Sequence, residues 1–265
     1  MKTIDTLVED IYDLFRSRTK FSPERVESFA KALAEKISDR MEEEQGKPAL
    51  RMSQIGMKCD RELWYKHNIP ELAKALPPET KIKFLFGDIL EELLLFLAEE
   101  AGHTVEDRQK EVHIDTVKGH IDGIVDGTLL DAKSASSYSF KKFQDHLSWD
   151  EDAFGYIDQL GGYLEANQTN KTLKEKNQAG FLVIDKTLGK ITLDIHPKNN
   201  VDYLAKVAEK KAVIKQPLPP PRSFFDQAEG KSGNRKLGTK CSYCSFNETC
   251  WPGLRTYFYA RGPVS

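Results

Sequence analysis

The segment from Gly119 to Ser134 reads GHIDGIVDGTLLDAKS and contains two short apolar runs that meet at Asp126-Gly127. An Asp-Gly pair between apolar runs favours a β-hairpin with a two-residue loop. This loop fixes the register of the two strands. The register aligns three pairs of residues: Val125 with Thr128, Asp122 with Asp131, and His120 with Lys133.

Two carboxylates therefore face each other inside apolar strands. Directly opposed strand residues have Cβ atoms about 5 Å apart, where like charges repel, so Asp122 and Asp131 need a raised pKa or a bound cation. Oxygen ligands favour Mg²⁺ or Mn²⁺. Lys133 lies on the same strand face as Asp131, where an ammonium can orient water or stabilise charge on a phosphate oxygen. The alternative is a surface hairpin with a solvated polar face.

Composition describes an ordinary soluble chain of 265 residues, with 39% hydrophobic residues and a net charge of −2. No run approaches the roughly 20 apolar residues of a membrane span, and the acidic N-terminus lacks a secretory signal pattern. We therefore expect a cytoplasmic location and no membrane partner. Residues 111–170 are acidic and residues 171–265 are basic, which fits a metal centre beside a phosphate-binding surface. The alternative is that the lysines only solvate the C-terminal elements.

Apolar periodicity predicts two N-terminal helices, over residues 3–18 and 22–45, as an appendage with an open role: packing, oligomer contact or DNA contact. Ser53 is a candidate cap for a helix that carries Cys59. A strongly apolar helix follows over residues 80–101.

The remaining elements alternate between strands and helices. Residues 109–115 predict a strand that pairs with the hairpin to form a three-stranded meander. Four further elements are predicted: a helical region over 140–167, a second hairpin over 180–185 and 190–196, a helix over 199–215, and a proline-rich connector over 216–221.

The order of acid, turn and Asp-x-Lys resembles the PD-(D/E)XK nuclease superfamily. Asp122 matches the acid of its first motif, and Asp131-Ala132-Lys133 matches its second, although the proline of the first motif is absent. The resemblance implies that Asp122, Asp131 and the carbonyl of Ala132 bind Mg²⁺ or Mn²⁺, while Lys133 positions the attacking water.

Two helical pairs extend this resemblance. Glu91 follows Gly87 by four residues, as in the G-x-x-x-E pair upstream of the hairpin in these nucleases, and is the candidate third metal ligand, with Glu92 as the alternative. Gln159 and Tyr163 form a Q-x-x-x-Y pair that resembles a motif of the RecB-type branch, where it lies beside the active site and the DNA.

The four cysteines, Cys59, Cys241, Cys244 and Cys250, are split one before and three after the hairpin region. In a cytoplasmic chain such a set favours a metal site over disulfides, either structural zinc or an iron–sulfur cluster. The split resembles the iron–sulfur nucleases of the AddB type and of the CRISPR spacer-acquisition family, which implies a 4Fe-4S cluster, with zinc as the alternative.

A glycine-containing basic stretch, GKSGNRKLGTK, precedes Cys241 and suits contact with DNA phosphates. Its basic residues are Lys231, Arg235, Lys236 and Lys240.

The resemblance implies a restriction-endonuclease-like α/β core, with a central mixed sheet flanked by helices. It divides the chain into an N-terminal helical appendage (1–50), a nuclease core (51–215) and a basic iron–sulfur segment (216–265). The implied activity is a metal-dependent exonuclease, similar to phage exonucleases, that acts on single- or double-stranded DNA ends in recombination, repair or phage DNA processing, and a recombination partner protein is compatible with it. The alternatives are a non-catalytic iron–sulfur DNA-binding or scaffold protein, and an endonuclease or flap nuclease of the same fold.

Overall fold

A computed structural model describes residues 2–42, 48–231, 233–259 and 262–264. They form a mixed α/β fold in which helices flank a central mixed sheet. The helices are α1 (Leu7–Arg16), α2 (Pro23–Glu42), α3 (Met52–Ile55), α4 (Asp60–Asn68), α5 (Pro78–Glu100), α6 (Ser137–Gln144), α7 (Tyr156–Ala166), α8 (Tyr203–Ile214), α9 (Thr239–Ser242) and α10 (Asn247–Cys250). The strands are β1 (Val105–Glu106), β2 (Glu111–Ile114), β3 (Val117–His120), β4 (Gly123–Val125), β5 (Thr128–Ala135), β6 (Gln178–Asp185), β7 (Ile191–Pro197), β8 (Gln227–Ala228), β9 (Arg235–Lys236), β10 (Tyr257–Tyr259) and β11 (Gly262–Val264).

The central sheet has the strand order β1-β4-β5-β6-β7. Strands β5 and β6 are parallel, and the other neighbours are antiparallel. A parallel pair needs a crossover connection, and the chain supplies it through α6 and α7. The predicted second hairpin is confirmed as β6 and β7, which pair from Gln178 and Pro197 to Ile184 and Ile191.

The Asp126-Gly127 turn is confirmed as the loop that joins β4 to β5, with Val125 opposite Thr128. Both loop residues have positive φ angles, +50° and +85°, as a type I′ loop requires. His103 Nδ1 lies 2.6 Å from Asp126 Oδ2. The Asp126 side chain of the turn is therefore held against the segment that follows α5.

The predicted outer part of the hairpin is wrong. The strand breaks at Ile121 and Asp122, and His120 belongs to β3, where it pairs with Glu111 rather than with Lys133. Strands β2 and β3 form a separate two-stranded sheet, so the predicted three-stranded meander does not form. At the break, the side chain of Asp122 accepts the hydrogen bond of Ala132 N, which the backbone of a continued β4 would otherwise accept.

The sheet separates two hydrophobic cores, because successive strand residues face opposite sides. Leu129 and Phe181 pack in the core that α3, α6 and α7 cover. Leu130 and Leu182 pack in the core that α1 and α5 cover. The central strands are thus buried on both faces.

The N-terminal helices pack on the second core. Leu7 and Ile11 of α1 are fully buried there. Helix α2 lies along α5, where the Phe29 and Phe96 rings stack with centroids 4.7 Å apart. Packing was one of the three roles considered for these helices. The predicted continuation of the second helix over residues 43–45 lies outside the described residues.

The predicted cap of the fourth helix is wrong. Ser53 lies inside the short helix α3, whereas Cys59 is itself the N-cap of α4, with its Sγ accepting a hydrogen bond from Glu62 N at 3.4 Å. The chain turns between the two helices at Gly56, which lies against Gly155. A Cβ on Gly56 would lie 2.1 Å from Gly155 O, and a Cβ on Gly155 would lie 1.8 Å from Gly56 O. The close approach of the two segments therefore needs a residue without a side chain at both positions.

The C-terminal segment packs back onto α4 and α8. Phe246 is 1% exposed and stacks on Tyr65, with ring centroids 5.4 Å apart. Trp64 Nε1 donates to the carbonyl of Gln216 at 2.8 Å.

Among the described residues, none of the helices combines the length and apolar character needed to cross a bilayer.

Candidate active site

The first strands bring two acids and a lysine together. Asp131 and Lys133 lie two residues apart on β5 and therefore on the same face, and Lys133 Nζ makes an ion pair with Asp131 Oδ2. Asp122 lies just before β4, and its Oδ2 accepts a hydrogen bond from Ala132 N at 2.7 Å. The local geometry thus fixes both carboxylates beside one ammonium group.

Burial and charge oppose each other at this site. Burial, together with the charges of Asp131 and Glu91, raises the pKa of Asp122 well above 3.8. Burial works against the ammonium of Lys133, but the charges of Asp131 and Asp122 outweigh it and raise the pKa of Lys133. Lys133 therefore stays charged, while burial and the neighbouring acids disfavour the ionised form of Asp122.

Helix α5 brings Glu91 to these acids. A Cβ on Gly87, one turn earlier, would lie 3.8 Å from Ser134 Oγ, so this helical face lies over the end of β5. Glu91 Oε1 accepts hydrogen bonds from Gln109 Nε2 and Lys36 Nζ, both at 2.7 Å. Burial raises the pKa of Glu91, and the charge of Lys36 opposes that rise.

Glu92, the alternative ligand, has different partners. Its side chain is 5% exposed, and it forms ion pairs with Arg108 at 3.3 Å and with Lys36 at 3.5 Å. Glu91 is the acid whose charge acts on Asp122. This electrostatic interaction favours Glu91 over Glu92 as the acid beside the aspartates, although both glutamates line the same cavity as Asp122.

The donor set fits a hard divalent cation. It offers three carboxylates and the backbone carbonyl of Ala132, and such oxygen ligands suit Mg²⁺ or Mn²⁺. Within the described part of the chain, the buried Asp131 Oδ2 has no hydrogen-bond partner of acceptable geometry, although it contacts the Lys133 ammonium. A divalent ion would satisfy this oxygen and offset the excess negative charge.

Helix α7 lines the site with a glutamine, Gln159, and two tyrosines, Tyr156 and Tyr163. Gln159 Nε2 donates to Tyr163 Oη at 3.4 Å, so the structure brings the predicted pair together. Burial and the nearby charge of Asp131 raise the pKa of Tyr163 to about 12, which keeps its hydroxyl protonated. The Tyr156 ring lies 5.4 Å from Lys133 Nζ.

Two open cavities lead to these groups. A cavity of about 800 Å³ is lined by Glu91, Glu92, Asp122 and His120, with Lys36, Arg40, Arg108 and Gln109 on its walls. A second cavity, of about 640 Å³, is lined by Lys133 and Tyr156 together with Lys83, Tyr138, Lys142, Phe154, Lys186 and Tyr243. The second cavity combines ammonium groups with aromatic rings, of which Tyr138 and Tyr243 are each 78% exposed.

The four cysteines line one separate cavity, although 181 residues of chain lie between Cys59 and Cys241. None of the four is in a disulfide. Burial raises the pKa of Cys241, and the nearby charges of Cys59 and Cys250 raise it further. Burial also raises the pKa of Cys244 to about 12. Thiolates in this cavity therefore need a bound cation.

The predicted phosphate-binding residues divide into two pairs. Arg235 makes an ion pair with Asp226 at 2.6 Å, and Lys240, with its side chain 12% exposed, makes one with Glu62 at 3.1 Å beside the cysteine cavity. Lys231 is exposed and Lys236 half-buried. The structure thus places Lys240 in the wall of the cysteine cavity.

A further His-Asp-His group has ligand atoms within 4.8 Å of one another among the described residues. His146 Nδ1 and His196 Nε2 each face a different oxygen of Asp194, at 2.7 and 2.9 Å. The two rings stack with centroids 4.4 Å apart and a 20° interplanar angle. The two imidazoles hold the buried carboxylate between them, and the three groups together could also hold a metal ion.

Three residues near the carboxylates were not predicted from the sequence: Lys36, Gln109 and Tyr156. Lys36 and Gln109 reach Glu91 from α2 and from the loop before β2, and no local pattern connects these segments with α5. Tyr156 lies seven residues before Tyr163, which puts both on one face of α7, so helical spacing offered a signal for it.

No protein-family model matches this chain, and no curated protein matches it. Among solved structures, SSO0001 is 14% identical, with 85% of this chain and 97% of that chain covered and a TM-score of 0.46. A phage-related exonuclease from Haemophilus somnus 129PT is 16% identical, with 64% and 92% covered and a TM-score of 0.42. An alkaline exonuclease from Laribacter hongkongensis is 14% identical, with 62% and 83% covered and a TM-score of 0.34. Each of these solved structures is similar to this protein in the path of its backbone, at low sequence identity.

Proposed function

We propose that this protein is a divalent-metal-dependent deoxyribonuclease that acts as an exonuclease on DNA ends. The observation that carries the proposal is the set of Asp122, Asp131 and Glu91 beside the Lys133 ammonium, because it combines oxygen donors with carboxylates that disfavour one another's ionised form. The preference for ends follows the resemblance seen in the sequence.

Glu91, Asp122, Asp131 and the carbonyl of Ala132 would hold Mg²⁺ or Mn²⁺. When bound, the ion supplies a Lewis acid that activates water and stabilises charge on the scissile phosphate. Lys133 stays protonated beside Asp131, so it donates hydrogen bonds that orient the attacking water or a phosphate oxygen. Tyr163 keeps its proton, so its hydroxyl would be available to donate a hydrogen bond on the same side of the sheet.

DNA would reach these groups along the cavity that contains Lys133. Its lysines suit phosphate contacts, and its exposed Tyr138 and Tyr243 rings suit stacking on bases. This combination favours a DNA strand over a small phosphate ester, because a small ester has no bases to stack on the rings.

The decisive experiment compares variants on end-labelled linear DNA with Mn²⁺ or with EDTA. Asp131→Asn and Lys133→Ala should bind DNA about as well as the parent and cut it at least about a hundredfold more slowly, since each 1.4 kcal/mol of barrier is about tenfold in rate. Asp158→Asn is the matched control. Asp158 is buried, as Asp131 is, but it lies on α7 and forms its ion pair with Lys206. Cutting at the parent rate by either site variant would place the active site elsewhere.

The choice of DNA substrate separates the alternatives. Release of nucleotides from linear strands with closed circles intact is the expected result for an exonuclease. Cutting of closed circles would instead assign an endonuclease, and DNA binding without cutting in Mn²⁺ would assign a non-catalytic DNA-binding protein.

We also propose that the four cysteines hold a 4Fe-4S cluster. All four cysteines line one cavity, and the preference for a cluster over zinc follows their one-plus-three split along the sequence. Protein purified without oxygen should be brown and should lose its visible absorbance on reduction. Colourless protein with one zinc per chain would contradict the cluster.

A further inference from the structure

A lysine from the N-terminal helix α2 reaches the carboxylates of the candidate metal site. Lys36 Nζ lies 2.7 Å from Glu91 Oε1 and 3.5 Å from Glu92 Oε1. Its side chain is only 22% exposed, and its charge also interacts with Asp122. The ammonium is therefore part of the charge balance of this site.

The contact of Lys36 with Glu91 conflicts with metal binding. A divalent ion and an ammonium compete for one carboxylate, because each gains most from the same negative charge. Glu92 gives Lys36 a second anionic partner nearby, so the ammonium can leave Glu91 without entering an apolar environment. The Lys36 ammonium thus already lies between the two glutamates.

Lys36 differs from the other basic residues that line the same cavity. Arg40 is held by two 2.7 Å hydrogen bonds to Asp88, and Arg108 is held by Glu99 at 3.0 Å as well as by Glu92. Among these cavity-lining cations of the described chain, Lys36 is the one bound to a proposed metal ligand. Metal binding would therefore release a cation into the cavity that Glu91 and Asp122 line.

We propose that Lys36 holds Glu91 in place before metal binds and contacts a DNA phosphate once metal has displaced it. This inference rests on the proposed metal site of the nuclease and makes Lys36 a positioning residue. It also gives α2 a part in the reaction that packing alone does not.

The test uses the full-length protein and measures two affinities. In Lys36→Met, Mn²⁺ titrated alone and followed by the EPR signal of free Mn²⁺ should bind about fivefold more tightly, since a competitor is removed. The same variant should bind a phosphorothioate oligonucleotide in Mn²⁺ about fivefold more weakly, since one phosphate contact is lost. A purely structural role would not produce these opposite shifts.

Two variants serve as controls. Lys31→Met changes an exposed lysine of the same helix, which pairs with Glu35, and should alter neither affinity. Lys36→Arg keeps the charge and should retain the parent affinity for the oligonucleotide. Unchanged or weaker Mn²⁺ binding in a folded Lys36→Met protein would overturn the inference.

The two proposals fail in different ways. If the parent cuts DNA while Lys36→Met binds Mn²⁺ as the parent does, the role of Lys36 is wrong and the nuclease stands. If Lys36→Met shows the opposite shifts in affinity but the parent does not cut DNA, the role of Lys36 is supported and the nuclease activity is wrong.

Discussion

Asp122 lies just before β4, at the point where the backbone pairing of the hairpin ends. Its carboxylate accepts the Ala132 amide hydrogen bond that a strand backbone would otherwise take. Burial and two neighbouring acids raise its pKa well above 3.8. The ionised carboxylate thus destabilises the fold at neutral pH, a cost that suits a site built to receive a cation.

We predict that Asp122→Asn stabilises the protein in EDTA at neutral pH. Because the folded chain binds this proton more tightly than the unfolded chain, the stability of the parent falls as pH rises from 3.8 through the raised pKa. The amide removes that loss and can still accept the Ala132 hydrogen bond. The expected result is therefore a higher melting temperature for the variant than for the parent at pH 7.

Thermal unfolding between pH 4 and pH 8 measures this effect. The gain should shrink as pH falls from 8 to 4, because only the raised pKa of the folded state separates the two states and the unfolded carboxyl becomes increasingly protonated near 3.8. Added Mg²⁺ should stabilise the parent but not the variant. A variant that is less stable than the parent at pH 7 in EDTA would show that Asp122 is not strained by its charge.

The basic C-terminal residues give a prediction about DNA affinity. Arg235 and Lys240 already have carboxylate partners in Asp226 and Glu62, so we expect Lys231 and Lys236 to supply the phosphate contacts. Replacing these two lysines with alanine should lower the slope of log affinity against log salt by about 2. Replacing Arg235 with alanine should change the slope less, and equal changes would contradict this division.

Helix α7 is positioned by a contact between two backbone segments. Gly155 precedes the helix with a φ of +82°, and a Cβ there would lie 1.8 Å from Gly56 O. The helix carries Gln159 and Tyr163, so this contact sets how closely both side chains approach β5.

We predict that Gly155→Ala destabilises the fold by more than about 3 kcal/mol, because backbone atoms on both sides must separate. Gly189→Ala is the matched control: Gly189 also has a positive φ, +68°, but a Cβ there would meet no atom within 4 Å. The control should cost only about 1 kcal/mol of backbone strain. Urea unfolding measures both, and equal losses would exclude the close approach as the cause.

The cysteine cavity connects distant parts of the whole chain. It brings Cys59 of the α4 N-cap to Cys250 at the end of α10, and the α4 and C-terminal aromatic residues pack beside it. A metal group bound here, as proposed, would close a long loop around the central sheet. Such closure contributes a few kcal/mol, because loop entropy grows only logarithmically with length.

We predict that Cys250→Ser lowers the melting temperature and exposes the C-terminal segment to proteolysis, while the central sheet stays folded. Glu248→Gln is the matched control, since Glu248 lies in the same short helix and is 63% exposed. Iron and zinc analysis should show loss of metal in the cysteine variant alone. Parent-like metal content and melting would remove Cys250 from the ligand set.

Local patterns in the sequence determined several parts of this protein correctly. The Asp126-Gly127 loop and the placement of Asp131 and Lys133 on one strand face followed from turn chemistry and the two-residue period of a strand. Helix α5 followed from its apolar composition, and it ends where predicted, before Gly102 with a φ of +87°. These features depend on interactions between residues close in sequence.

The tertiary structure decided what depends on distant segments. The strand break at Asp122, the contact of Lys36 with Glu91 and the convergence of four cysteines each join segments that no sequence period relates. Side-chain competition for a backbone amide ended the predicted hairpin early, and the packing of α2 on α5 brought a lysine to the acids. Local sequence patterns thus determined which reactive residues share a strand or a helix, whereas long-range packing determined which charges face one another.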